Sequence, residues 1–195
     1  MQFGDEANTI QYVFEWAALS VSQKEYLKKT LEDYSTLKII QYALFEYVVL
    51  RFHGIELHNM YCTVIGEKLI NGGIENINYS LSDLTQTYLG VEVDKGLQTS
   101  FGDGILNYEK VMYAATDCMY LGTIRAMQLE KLQAWQSDLC KDPLRLIELE
   151  MEYALPAFGD MMYYGVELDV EKWRENIGMA QPVIDKAEKL SLIHI

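Results

Sequence analysis

No apolar run in this chain approaches the roughly 20 residues a bilayer-spanning helix needs, and the N-terminus has neither a basic stretch nor a cleavable apolar segment. Those absences point away from the membrane and the secretory route, toward a soluble, cytoplasmic protein. Cysteine is scarce as well. Cys62, Cys118 and Cys140 are odd in number and lack metal-type spacing, which argues against a disulfide framework and for reduced thiols used in packing. His53 and His58 flank Gly54, but no Cys or carboxylate spacing completes a zinc set around them. Cations are the other shortage: 16 Lys and Arg against 29 Asp and Glu leave a formal net charge of -13. A broad nucleic-acid surface depends on clustered Lys and Arg, so the balance argues against one. It leaves open an enzyme that grips a few nucleotides through divalent metals, whose charge offsets the repulsion. The plainer reading is that the charge only keeps the protein soluble. Internal repeats and low-complexity tracts are absent too.

What is present is a chain of 195 residues, half of them hydrophobic, enough for one globular domain and a smaller appendage. The polar turn Gly4 to Asn8 followed by Ile10 to Trp16 reads as a hairpin into a strand. Ser22 with Glu25 three residues on suggests a capping box and a helix to about Asp33. Lys38 to Gln41 reads as a strand, Ala43 to Phe52 as a helix stopped by Gly54, and Asn59 to Cys62 as a second short strand with a helix behind it. A helix from Ser80 to Leu89 stops at Gly90. A long helical stretch follows from about Asn107 to Ser137, with a bend expected near Ala115. Pro143 opens a further helix, Pro156 is expected to kink it, and Gly165 ends it before a last helix from about Val170. Strands alternating with helices predict an α/β layer architecture.

The chemistry concentrates in Tyr113, Ala114, Ala115, Thr116, Asp117, where a phenol and a carboxylate four residues apart share a helix face. Such a pair suits a metal-dependent exonuclease, the carboxylate holding a metal and the hydroxyl orienting water. Alone it equally suits a core aromatic one turn before a solvated acid. Tyr79 and Asp83 have the same spacing at a helix start, where Asp complements the dipole, and read as structural. Glu46 is either a ligand or the exposed edge of an amphipathic helix. Lys95, Gln98 and Ser100 either touch substrate phosphates or close a polar loop.

In order and spacing, a longer series resembles the 3′ to 5′ exonuclease domain of family A DNA polymerases, the DNA polymerase I type. It runs through Gln41, Tyr42, Ala43, Leu44, Phe45, Glu46; then Leu81, Asp83, Leu84, Tyr88, Leu89, Gly90; then Asp94, Lys95, Gln98, Ser100, Phe101; then Tyr113, Ala114, Ala115, Asp117, Leu121. Glu150 to Pro156, with Met161, Met162, Gly165, Val166, Leu168 and Asp169, is similar to the segment that leads from exonuclease into polymerase. The resemblance implies an α/β, ribonuclease-H-like fold, a mixed sheet flanked by helices, with a helical C-terminal extension. It also implies two divalent ions, magnesium or manganese, held by four acidic residues. Asp117 and Glu46 would be metal ligands, Tyr113 would position the water, and Tyr42, Lys95, Gln98 and Ser100 would meet substrate.

Three departures qualify this. Glu46 stands where the family usually has Asp, Tyr42 where it usually has Asn, and the family's first motif, an Asp-x-Glu pair, is expected ahead of Met1, since Asp5 and Glu6 read as turn residues. The reading is therefore an N-terminally truncated exonuclease domain over residues 1–140, the start of a polymerase region over 141–189, and sequencing-adapter sequence over 190–195. The partners it implies are the 3′ end of single-stranded DNA and a polymerase domain in the parent chain, with no membrane. The alternatives are a stand-alone ribonuclease D-like enzyme and a non-catalytic scaffold. As written, the 195-residue chain is expected to release no nucleotides from a labelled 3′ end with magnesium. Robust release that Asp117→Asn abolishes would overturn that expectation.

Overall fold

A computed structural model describes residues 1–5, 9–72, 74, 77–93, 96, 101, 106–137 and 141–193. The chain divides into two units, Met1–Tyr163 and Tyr164–Ile195. The first opens on an antiparallel hairpin of β1 (Gln2–Gly4) and β2 (Gln11–Val13), with Phe3 opposite Tyr12. Asp5 closes its turn, its carboxylate accepting from the backbone N–H groups of Thr9 at 2.6 Å and Ile10 at 2.9 Å. The strand ends earlier than its composition predicts, because Trp16–Ala18 turns into a 3-10 helix.

Helix α1 (Val21–Glu32) is capped by Ser20 rather than Ser22. Ser20 lies in extended backbone and accepts from Gln23 N–H, while Gln23 Oε1 accepts from Ser20 N–H at 2.9 Å, so the capping box starts two residues before the predicted one. Next comes a β-α-β unit, in which β3 (Lys38–Ile40), α2 (Ala43–Phe52) and β4 (Met60–Cys62) bring β3 and β4 into parallel register, Ile39 opposite Tyr61. Tyr42, the cap of α2, has φ 57 and ψ 47, a left-handed conformation that strains a residue with a bulky side chain. Tyr42→Asn is expected to stabilise the protein by about 1 kcal/mol, since Asn tolerates that conformation best among residues with a side chain. Urea denaturation checks this, and an unchanged midpoint would mean the strain is absorbed elsewhere.

Helices α3 (Thr63–Ile70) and α4 (Leu81–Leu89) follow, the latter capped by Ser80 and stopped by Gly90 at φ 65. The predicted long helix is two: α5 (Tyr108–Met119) and α6 (Leu121–Gln133). The break falls at Tyr120, not at a bend near Ala115, because the two helices have different partners. Helix α5 lies on β1 and β2, whereas α6 packs on α3 and α4. Helix α7 (Pro143–Leu149), with Asp142 as its cap, runs through a π turn (Glu150–Ala154) into α8 (Leu155–Tyr164). The predicted kink is accommodated there. Leu155 N–H bonds back to Glu150, and this wider turn lies just ahead of Pro156, which cannot donate to the helix ladder.

The main core gathers Tyr47 and Leu50 from α2, Tyr61 and Cys62 from β4, Leu132 from α6, and Ile147, Met151 and Leu155 from the α7 to α8 segment. Residues 141–163 are thus packed into the first unit. In the second unit Gly165, at φ 71, precedes α9 (Val170–Ile193), whose first turn is capped by Asp169. No helix among the described residues is long and apolar enough to cross a membrane. Mixed α/β layers with small sheets and many helices make this a ribonuclease-H-like fold.

Candidate active site

Two carboxylates from different elements approach one thiol. Glu46 lies in the first turns of α2 and Asp117 near the end of α5, both half-buried. Cys118 follows Asp117 on α5, and its thiol is pushed up to about 12 by burial first, then by the charge of Asp117, with Glu46 adding and the Met1 ammonium opposing. The Met1 ammonium donates to Phe14 carbonyl at 2.9 Å; burial lowers its affinity for its proton, and Glu46 and Cys118 partly restore it. Strand β1 comes close because Gly4 has no side chain: a Cβ there would meet Cys118 Cβ at 3.4 Å.

Burial raises the proton affinity of both carboxylates. Asp117 is moved from its ordinary 3.8 to about 6 by desolvation alone, and Glu46 is raised by desolvation with the Met1 ammonium opposing. A part-desolvated carboxylate gains when a cation neutralises it. Its oxygen donors match hard divalent ions such as magnesium and manganese. Among the described residues no group of three or more His, Cys, Asp or Glu is arranged to hold a metal ion.

Tyr113 sits one turn before Asp117, its ring 5.9 Å from that of Phe101. Tyr42 stands exposed one turn before Glu46. A cleft of about 280 Å³ runs beside α5, walled by Phe14, Trp16, Phe101, Leu106 and Ala114 among others. Lys95, Gln98 and Ser100, with Asp94, lie outside the described residues. Sequence reasoning took Cys118 for a packing thiol and passed over Lys110. Lys110 is buried in α5, its ammonium 5.9 Å from the Phe101 ring centroid. Its signal was present: Lys110 lies two turns before Asp117 on the same helix face as Ala114.

Comparisons with known proteins agree with this architecture. A family model described as 3′-5′ exonuclease matches residues 1–133. Brucella melitensis NrnC bound to pGG is 24% identical, with a TM-score of 0.58 over 71% of this chain and 64% of that one. NrnC with bound Mg2+ gives 23% identity and a TM-score of 0.58 over the same shares, 71% and 64%. The POL domain of Pol1 from M. smegmatis, in complex with DNA primer-template and dNTP, is 17% identical with a TM-score of 0.66 over 94% of this chain and 29% of that one. The chain thus spans just under two thirds of NrnC and less than a third of the Pol1 structure. The comparison with curated proteins found no match. With more than half its length matched by that model, on a fold shared with nucleases, the chain belongs to the 3′-5′ exonuclease family.

Proposed function

We propose that this chain belongs to the exonuclease domain of a family A DNA polymerase, an activity that in the parent protein removes mispaired nucleotides from the 3′ end of single-stranded DNA. The observation that carries the reading is the match of residues 1–133 to a 3′-5′ exonuclease family model, within which Asp117 follows Tyr113 by one turn of α5. Residues 1–140 hold the exonuclease chemistry and 141–189 lead toward polymerase sequence, a reading supported by the match of 94% of the chain to a polymerase domain.

Glu46 and Asp117 would hold a divalent cation, and their desolvation is relieved when it neutralises them. When bound, such ions supply an activated water and stabilise the leaving 3′ oxygen. Tyr113 holds a water through its hydroxyl, one helical turn from Asp117. Tyr42, Lys95, Gln98 and Ser100 would meet the substrate. The extra methylene of Glu46, relative to the family's Asp, lengthens the reach from α2.

A second reading, a ribonuclease of the NrnC kind, is favoured by the structural match over 71% of the chain. Titrating manganese in the presence of a single-stranded DNA 3′ end, and separately of an RNA dinucleotide, tests both. The expected result is manganese-dependent DNA binding that is lost in Glu46→Gln and Asp117→Asn. Preference for the dinucleotide would favour the second reading. Absence of cation binding with both carboxylates intact would leave a scaffold.

A further inference from the structure

Helix α9 carries an apolar stripe that nothing among the described residues covers. Val170, Trp173, Ile177 and Ile184 are exposed, at 47%, 55%, 56% and 47%. With Ala180 and Ala187 they follow one another in steps of three and four, the a and d positions of a heptad, and the stripe is only those two positions wide. A stripe so narrow is the seam of a coiled coil, whereas a helix laid on a globular core shows a broader apolar face. The rest of the helix agrees. Glu171, Lys172, Glu175, Asp185, Lys186 and Lys189 all stand at outer positions. Gly178 and Pro182, the two poorest helix formers in α9, are on that outer side too and leave the seam uninterrupted.

Volume and charge together select what fits the seam. A parallel copy would set like against like, Trp173 on Trp173 and Ala180 on Ala180, so that overfilled and empty layers alternate. An antiparallel copy sets a against d. Ile177 then faces Ala187 of the second copy and Ile184 faces its Ala180, and the two-fold axis repeats both layers, each with one large and one small residue. In the same register Arg174 lies beside Glu188 of the second copy, twice over, while Gln181 and Val183 each meet their own counterparts at the axis. No like charges face each other along that seam.

We propose that α9 is a self-complementary docking surface whose occupant is α9 of a second copy of this chain, running antiparallel with Ile177 on Ala187 and Arg174 beside Glu188. From Arg174 to Glu188 the seam runs about 21 Å at the helical rise. It buries on the order of 800 Å² in total, at the weak end of specific interfaces, so dissociation is expected at roughly tens of micromolar.

Sedimentation equilibrium of the whole 195-residue chain across the micromolar range tests this, with a monomer to dimer equilibrium as the expected result. Ile177→Lys, at a position exposed in the monomer, is expected to abolish the dimer and leave the melting temperature at the wild-type value. Arg174→Glu sets two like-charge pairs in place of two attractive ones and should weaken association roughly 10-fold. Adding Glu188→Arg to it restores the pairing in reverse and should return the wild-type constant, a rescue that a general loss of helix stability would not give. Orientation is read by mild oxidation: Ile177→Cys chains should cross-link to Ala187→Cys chains and not to one another, beyond the background of the wild-type thiols. A chain that stays monomeric throughout, a dimer that survives Ile177→Lys, or Ile177→Cys chains that cross-link chiefly to themselves each overturns the proposal; the first would leave the seam to a helix of another protein or segment, the second would place the interface elsewhere, and the third would make the pair parallel.

Discussion

Asp117→Asn is expected to make the protein more stable at pH 7 while removing divalent-cation binding. The Asp117 carboxyl is raised from 3.8 to about 6 by burial. A group whose folded-state affinity for its proton exceeds the unfolded one stabilises the fold only while protonated. Below pH 4 the ionised form is unpopulated in either state and no penalty exists. As pH rises from about 4 to about 6 the unfolded chain loses its proton first, stability falls, and above 6 the full cost is present. Two units correspond to roughly 3 kcal/mol. Partial exposure screens much of that, leaving on the order of 1 kcal/mol.

Neutral Asn does not carry that cost, so its gain appears at pH 7.5 and vanishes near pH 4. Urea denaturation at both pH values measures it, and manganese titration measures the loss of affinity, expected to be at least about 100-fold for a direct ligand by comparison with the 10–100-fold typical of supporting groups. A variant that is both less stable at pH 7.5 and unchanged in manganese affinity would show Asp117 to be an ordinary structural acid. The opposing directions carry the argument. A residue kept at a cost to folding is one whose charge serves something other than the fold.

Gln128→Leu is the second large effect, a loss of about 3–5 kcal/mol. Gln128 is fully buried on α6 and completes a polar network inside the first unit. Its Nε2 donates to Thr63 carbonyl at 2.9 Å and to Glu67 Oε2 at 3.0 Å, and its Oε1 accepts from Tyr61 hydroxyl at 3.1 Å. Tyr88 hydroxyl donates to the same Glu67 oxygen at 2.5 Å, and Asn71 Nδ2 to the other at 3.0 Å. Burial holds the phenols of Tyr61 and Tyr88 well above their ordinary range, so both remain donors. Leucine fills similar space but takes away the acceptor of the Tyr61 hydroxyl and leaves Glu67 and the Thr63 carbonyl each one bond short. Each such group costs about 1–3 kcal/mol when buried. Thermal unfolding of Gln128→Leu, Tyr61→Phe and the double variant separates the pairwise part, expected near 1 kcal/mol. A loss below about 1 kcal/mol for Gln128→Leu would mean that water reaches the network.

Much of this arrangement is legible along the chain. Helix α2 and its end, the existence of β3 and β4, and the stop of α4 at Gly90 follow from apolar period, β-branched runs and glycine placement, whereas the parallel pairing of those strands came from the structure. Finer features escaped because their causes lie outside local sequence. Ser20 and Ser22 both suit a cap, and the choice turns on which side chain can exchange bonds with its partner three residues on. The break at Tyr120 is set by what each half packs on, which no periodicity records. The polar network was invisible for the same reason, since Gln128, Glu67, Tyr61 and Tyr88 come from four different elements.

The sequence by itself determined the acidic balance, the helical turn that places Tyr113 beside Asp117, and the ordered motifs that match the 3′-5′ exonuclease family. These are local or one-dimensional properties, readable from spacing and composition. Only the tertiary structure decided that Glu46 and Asp117 share the surroundings of Cys118, that burial there raises both acids, and that α8 packs on Tyr47 of α2. Desolvation depends on which segments cover a group, and that is settled by packing between elements remote in the chain.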